Sequence, residues 1–74
     1  MATPFEFETI GGRIKSMRRV KGWTQETLAK KVHVSQPAVA QWESNRWTPG
    51  KRSQELLAEA LGVTRSFLFG EEAA

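Results

Sequence analysis

Residues 25–44 read Gln-Glu-Thr-Leu-Ala-Lys-Lys-Val-His-Val-Ser-Gln-Pro-Ala-Val-Ala-Gln-Trp-Glu-Ser. Thr24, just ahead, is a good N-cap for a helix over 25–31, with Leu28, Ala29 and Val32 on its inner side. Only His33 and Val34 then separate that helix from Ser35, a second N-cap residue, and Pro37 is tolerated in a first turn. A helix over 36–44 follows, with Val39 and Trp42 three residues apart on its inner face. So short a connection forces the two helices to cross steeply. Close crossing needs a small residue at the contact, and Ala29 supplies it. Leu28, Val32, Val34, Val39 and Trp42 supply the apolar anchors. The connection also needs a residue at positive φ. Glycine adopts that conformation without strain, and few other residues do.

Outward from this pair, Thr9 caps a first helix over 10–21. Its stripe is Ile10, Ile14, Met17 and Val20, and Gly22 fits the left-handed position past its end. Trp23 is expected to close the gap between the first two helices. Asn45 to Gly50 reads as a loop with Pro49-Gly50 as its turn signal. Leu56, Leu57, Ala60 and Leu61 mark a fourth helix over 52–61, ended by Gly62. Thr64 caps a short fifth helix over 65–69, with Val63 and Leu68 placed as a hydrophobic staple. The fold class is therefore all-α: a compact bundle of five short helices spanning 9–70. Residues 1–8 are a leader in which Phe5 and Phe7 alternate with Glu6 and Glu8. Residues 71–74 are an acidic tail or the start of a linker.

Composition narrows the function. The chain has 74 residues, enough for one small domain. It has no cysteine and one histidine, and all eight acids are glutamates. A Ser-His-Asp triad and a two-histidine metal site are both ruled out, so neither an enzyme nor a metal or other cofactor is expected. No apolar run approaches the roughly 18 residues of a membrane span, and no secretory signal opens the chain. Residues 10–70 hold all 11 basic residues and four of the eight acids, a net of +7 against +3 for the whole chain. Such a body suits a polyanionic partner, nucleic acid foremost.

Residues 10–69 resemble the helix-turn-helix family of lambdoid phage repressors, Cro proteins and their bacterial relatives. The matching stretches are Arg13-Ile14-Lys15-Ser16, Thr24-Gln25-Glu26-Thr27-Leu28-Ala29 and Val34-Ser35-Gln36-Pro37-Ala38-Val39. Trp42-Glu43 and Leu57-Ala58-Glu59-Ala60-Leu61-Gly62-Val63 complete the set. The chain departs from the family at His33, where glycine is usual. His33 is read as an inert loop residue, with a pH switch as its functional alternative. The resemblance implies a lambda-repressor-like DNA-binding domain whose helix over 36–44 lies in the major groove of double-stranded DNA.

With Val39 and Trp42 inward, the outward arc of that helix holds Gln36, Pro37, Ala40, Gln41 and Ser44 and carries no charge. Such an arc suits base edges: glutamine bonds bidentately to adenine, and small apolar groups touch thymine methyls. Gln36 and Gln41 are the candidates for base hydrogen bonds, Pro37 and Ala40 for apolar contact. Phosphate contacts are expected from Gln25, Arg18, Ser35, Ser44, Arg46, Lys51 and Arg52; Arg13, Arg19, Lys30 and Lys31 are weaker candidates. The resemblance further implies a structural ion pair between Arg18 and Glu43, and a dimer contact through the loop after the reading helix and the last helix. Trp47, Phe67 and Phe69 are the interface candidates, while Trp42 belongs to the core.

The expected protein is a cytoplasmic, dimeric phage-type repressor in a bacterial host cell, binding a palindromic operator with half-sites about 34 Å apart. The acidic leader argues against an arm that wraps DNA. The Glu-Glu-Ala-Ala ending suits the N-terminal domain of a longer repressor, and a complete Cro-like protein is the alternative. A reading from another class is a protein-interaction module, such as an antitoxin or a domain bound by an antirepressor or other regulatory protein.

Overall fold

The computed structural model describes residues 8–70; the leader through Phe7 and the tail 71–74 lie outside the described residues. Five helices follow one another: α1 (Ile10–Val20), α2 (Gln25–Lys31), α3 (Gln36–Glu43), α4 (Lys51–Leu61) and α5 (Arg65–Phe69). No strand occurs among the described residues. Each boundary is within one residue of its expected place. Lys21 and Ser44 are C-caps rather than helical residues, and Lys51 begins α4.

The caps explain the punctuation. Thr9 Oγ1 accepts from the Gly12 N–H at 3.0 Å, Thr24 from Thr27 at 3.1 Å and Thr64 from Phe67 at 3.0 Å. Ser35 has the extended backbone of an N-cap, but its side chain makes no cap hydrogen bond. The proline at the second helical position has no N–H to offer, and the next donor, the Ala38 N–H, is taken by the Ser35 carbonyl at 3.1 Å.

One core joins all five helices. Ile14, Leu28, Val32, Val39, Leu57, Leu61 and Leu68 are fully buried, with Trp42 and Phe69 closing its edges. Ile10, Met17, Trp23 and Val63 pack against it. Two sequence expectations fail here. Val20 is 75% exposed rather than inward. At ~100° per residue it points ~120° away from Ile14. Phe69, expected at an interface, is only 8% exposed within this one chain. α5 folds back far enough for Arg13 Nη1 to donate to the Leu68 carbonyl at 3.1 Å, which draws Phe69 into the core.

α2 and α3 form the central unit. Val34 N–H donates to the Ala29 carbonyl at 2.9 Å and His33 N–H to that of Lys30 at 3.4 Å. Those two bonds close the helix end around His33, whose φ is 61°. Ala29, at the crossing, is buried. At the far end of α3 the same closure recurs with Asn45 at φ 64°: its N–H donates to Trp42 and that of Arg46 to Gln41.

Candidate nucleic-acid interface

The first turn of α1 sits directly on the C-terminal end of α3. A Cβ on Gly11 would overlap the Trp42 carbonyl oxygen and come within 2.6 Å of that of Glu43. Asn45 fastens the joint: its Oδ1 accepts from Gly11 N–H at 2.8 Å and its Nδ2 donates to Thr9 Oγ1 at 3.1 Å. Sequence reasoning missed this seat. Its signal was Gly11-Gly12, two poor helix formers in the first turn of a helix.

Glu43, on the last turn of α3, faces Arg18 of α1. Arg18 Nε donates to Glu43 Oε2 at 2.6 Å and Nη2 to Oε1 at 3.0 Å, while Nη1 donates to the Trp23 carbonyl at 2.6 Å. Both residues are buried, at 9% and 8% exposure. The hydrogen bond to Glu43 raises the Arg18 pKa above its ordinary value; burial opposes it and the Glu43 charge adds to it. The guanidinium thus stays charged and all three of its nitrogens are committed inside the protein. Arg18 was also expected to meet phosphate. The geometry makes it the anchor of α3 instead and removes it from the phosphate set.

The same carboxylate reaches outward. Gln25 Nε2, at the start of α2, donates to Glu43 Oε1 at 3.1 Å, and Gln36 Nε2, at the start of α3, donates to Gln25 Oε1 at 2.8 Å. Four side chains from three helices therefore form one chain of hydrogen bonds from the interior to the surface. The family resemblance pointed to the Arg18–Glu43 pair, but the sequence reading carried no sign of the Gln25–Gln36 link.

The outward arc of α3 is where sequence placed it. Gln36 and Pro37 are exposed, and Ala40 and Gln41 are half-buried. Ser35 is exposed, with its hydroxyl outside any cap bond. Ser44 is exposed, but its hydroxyl donates to the Gln41 carbonyl at 3.1 Å, so a phosphate would have to displace that bond. Arg46, Lys51 and Arg52 are exposed beyond α3. Arg52 lies 3.5 Å from Glu55 in an exposed pair, which is weak enough to yield to a phosphate. Among the weaker candidates, Arg13 is engaged by Leu68, Lys30 lies 3.8 Å from Glu26, and the Lys31 ammonium sits 4.6 Å above the Trp23 ring.

The loop bearing Arg46 and Trp47 is held at both ends. Asn45 ties it to α1, and the Pro49 carbonyl accepts from Gln54 Nε2 at 3.1 Å. Gln54 in turn accepts from Arg65 at 3.1 Å. Among the described residues no group of three His, Asp or Glu side chains could hold a metal ion, and no helix is long and apolar enough to cross a membrane. The site can therefore present donors, acceptors and cations.

Residues 9–68 match the family model described as a helix-turn-helix domain. The chain belongs to that family. The helix-turn-helix unit here is α2, the His33 turn and α3. The chain is 39% identical over 64 residues to the immunity repressor protein of Bacillus phage phi105, covering 86% of this chain and 44% of that protein. It is 34% identical over 61 residues to the HTH-type transcriptional activator BcrR of Enterococcus faecalis, covering 81% and 30%. It thus spans less than half the length of these relatives. Among solved structures it resembles the DNA-binding domain of the P22 C2 repressor, with a TM-score of 0.81 and 28% identity over 92% of this chain and 90% of that one. The likeness covers the whole five-helix body, so the fold is that of a phage-repressor DNA-binding domain.

Proposed function

We propose that this helix-turn-helix domain is the DNA-binding part of a phage-type transcription repressor that recognises a palindromic operator as a homodimer in the bacterial cytoplasm. One observation carries the reading: an uncharged arc of α3, exposed at Gln36 and Pro37, stands on a buried ion pair, with cations on the loop after it and at the start of α4. Gln36 and Gln41 bond to base edges in the major groove, and Pro37 and Ala40 make apolar contact. Gln25, Ser35, Arg46, Lys51 and Arg52 bind phosphates and set the register. Ser44 joins them if it exchanges its internal bond.

The second subunit is supported by the aromatic side chains left on the surface. Trp47 is 65% exposed and Phe67 45%. They lie on the loop after α3 and on α5, and a second copy would remove both from water. Half-sites would then repeat about 34 Å apart. The test is selection from random double-stranded DNA at one fixed, near-physiological salt concentration, because phosphate contacts make affinity strongly salt-dependent. Enrichment of an inverted repeat with half-sites one turn apart is expected. Salt-sensitive binding without sequence enrichment would refute base readout. Enrichment of single half-sites alone would refute the dimer.

A further inference from the structure

We infer that Gln54 and Arg65 are positioning residues that set the spacing between the two operator half-sites, by fixing the loop after α3 against α5. The inference rests on the dimer reading above and deepens it. The two exposed aromatics of that reading stand on different elements, Trp47 on the loop and Phe67 on α5. Two copies meet in one geometry only if those elements keep one arrangement. Gln54 of α4 joins them: its Nε2 donates to the Pro49 carbonyl at 3.1 Å, and its Oε1 accepts from Arg65 Nη2 at 3.1 Å. The contact is directional. A carbonyl only accepts and a guanidinium only donates, so a glutamine amide fits between them one way round. A carboxylate or an ammonium would satisfy one end and fail the other.

Arg65 is held there against its local preferences. It opens α5, where the positive end of a helix disfavours a cation. Its Nε is buried and meets no acceptor among the described residues, an arrangement that itself costs stability. Neither feature helps the five-residue helix. What the inward guanidinium does is reach Gln54 and, through it, the loop. Asn45 fixes the other end of that loop to α1. Hydrogen bonds thus link the end of α3 to the element that carries Phe67.

The test uses inverted repeats of the selected half-site at the selected spacing and with one base pair added or removed. Each such change moves the second half-site by roughly 3.4 Å and turns it by roughly 35°. Affinities are measured at one salt concentration and at protein concentrations where sedimentation shows a dimer. The intact chain should favour the selected spacing by at least roughly tenfold, because a rigid dimer cannot engage a displaced half-site. Gln54→Leu removes both bonds at similar volume, and the spacing ratio should fall toward one while affinity for a single half-site is kept. Arg65→Met should lower the ratio likewise, with a melting temperature unchanged or raised, since it takes the cation from the start of α5. A merely structural defect would weaken all spacings alike and lower the melting temperature. If both folded variants keep the spacing preference, or can no longer dimerise at all, the inference is overturned while the dimer reading stands. If the intact chain binds only single half-sites, the dimer reading falls and takes the inference with it.

Discussion

The two ends of α3 are built on opposite terms. Its C-terminal end is locked: Glu43 is buried against Arg18, Asn45 bonds to Gly11 and Thr9, and the Trp42 and Glu43 carbonyls leave no room for a Cβ at Gly11 of α1. Its N-terminal end is open: Ser35 makes no side-chain cap, and Gln36 and Pro37 are exposed. A reading surface needs this division. A side chain that must meet a base edge at hydrogen-bond distance has to remain in water, yet its helix cannot rock. Rigidity is supplied at the end that touches the protein.

Substitutions at the two ends should therefore separate stability from recognition. The largest effect belongs to Arg18→Ala, which leaves the Glu43 charge buried without its ion-pair partner. A loss of about 3–5 kcal/mol is expected in denaturant unfolding, enough to unfold much of so small a domain. A loss under about 1 kcal/mol would show that the pair is far more solvated than its geometry indicates. Gly11→Ala comes next. Helix propensity alone predicts a gain approaching 1 kcal/mol. The overlap with the Trp42 and Glu43 carbonyls predicts a net loss of about 1–3 kcal/mol, with α1 pushed off α3. The sign of the change decides which effect wins.

His33→Gly should act in the other direction. It relieves a left-handed residue at φ 61° and should raise stability by about 0.5 kcal/mol, the remainder being offset by the greater freedom of glycine in the unfolded chain. Thermal unfolding of both proteins in one buffer checks it, and a fall in melting temperature would contradict it. At the open end, Gln36→Ala should change stability by no more than about 0.5 kcal/mol, because the side chain is exposed and its one internal bond is at the surface. Its effect should be confined to DNA.

Much of this division was legible in the chain itself. Thr9, Thr24 and Thr64 cap helices because each precedes an apolar stripe, and the local chemistry decides the outcome. The short turn at His33 and the uncharged arc after it were likewise readable, since spacing alone defines them. What was not legible depends on distant contacts. The burial of Phe69 follows from α5 folding back onto Arg13, 55 residues away from Leu68 in sequence. The Asn45 joint is a contact across 34 residues, and no periodicity reports it. Ser35 is the N-cap of α3, but its lack of a side-chain bond was not legible from the residue type alone. Val20 misled because repeated spacings of three drift around the helix.

The central claim is that the outward arc of α3 reads sequence while its buried contacts with α1 hold the fold. The most direct test compares the intact chain with Gln36→Ala/Gln41→Ala on the selected duplex and on a scrambled duplex of equal length, at one salt concentration. The account predicts that the double variant unfolds at nearly the same temperature and keeps its affinity for scrambled DNA. Its preference for the selected site should fall at least tenfold, since each good bidentate base contact contributes about 1–3 kcal/mol. An unchanged preference in the folded variant would contradict the claim and move base readout away from this face of α3.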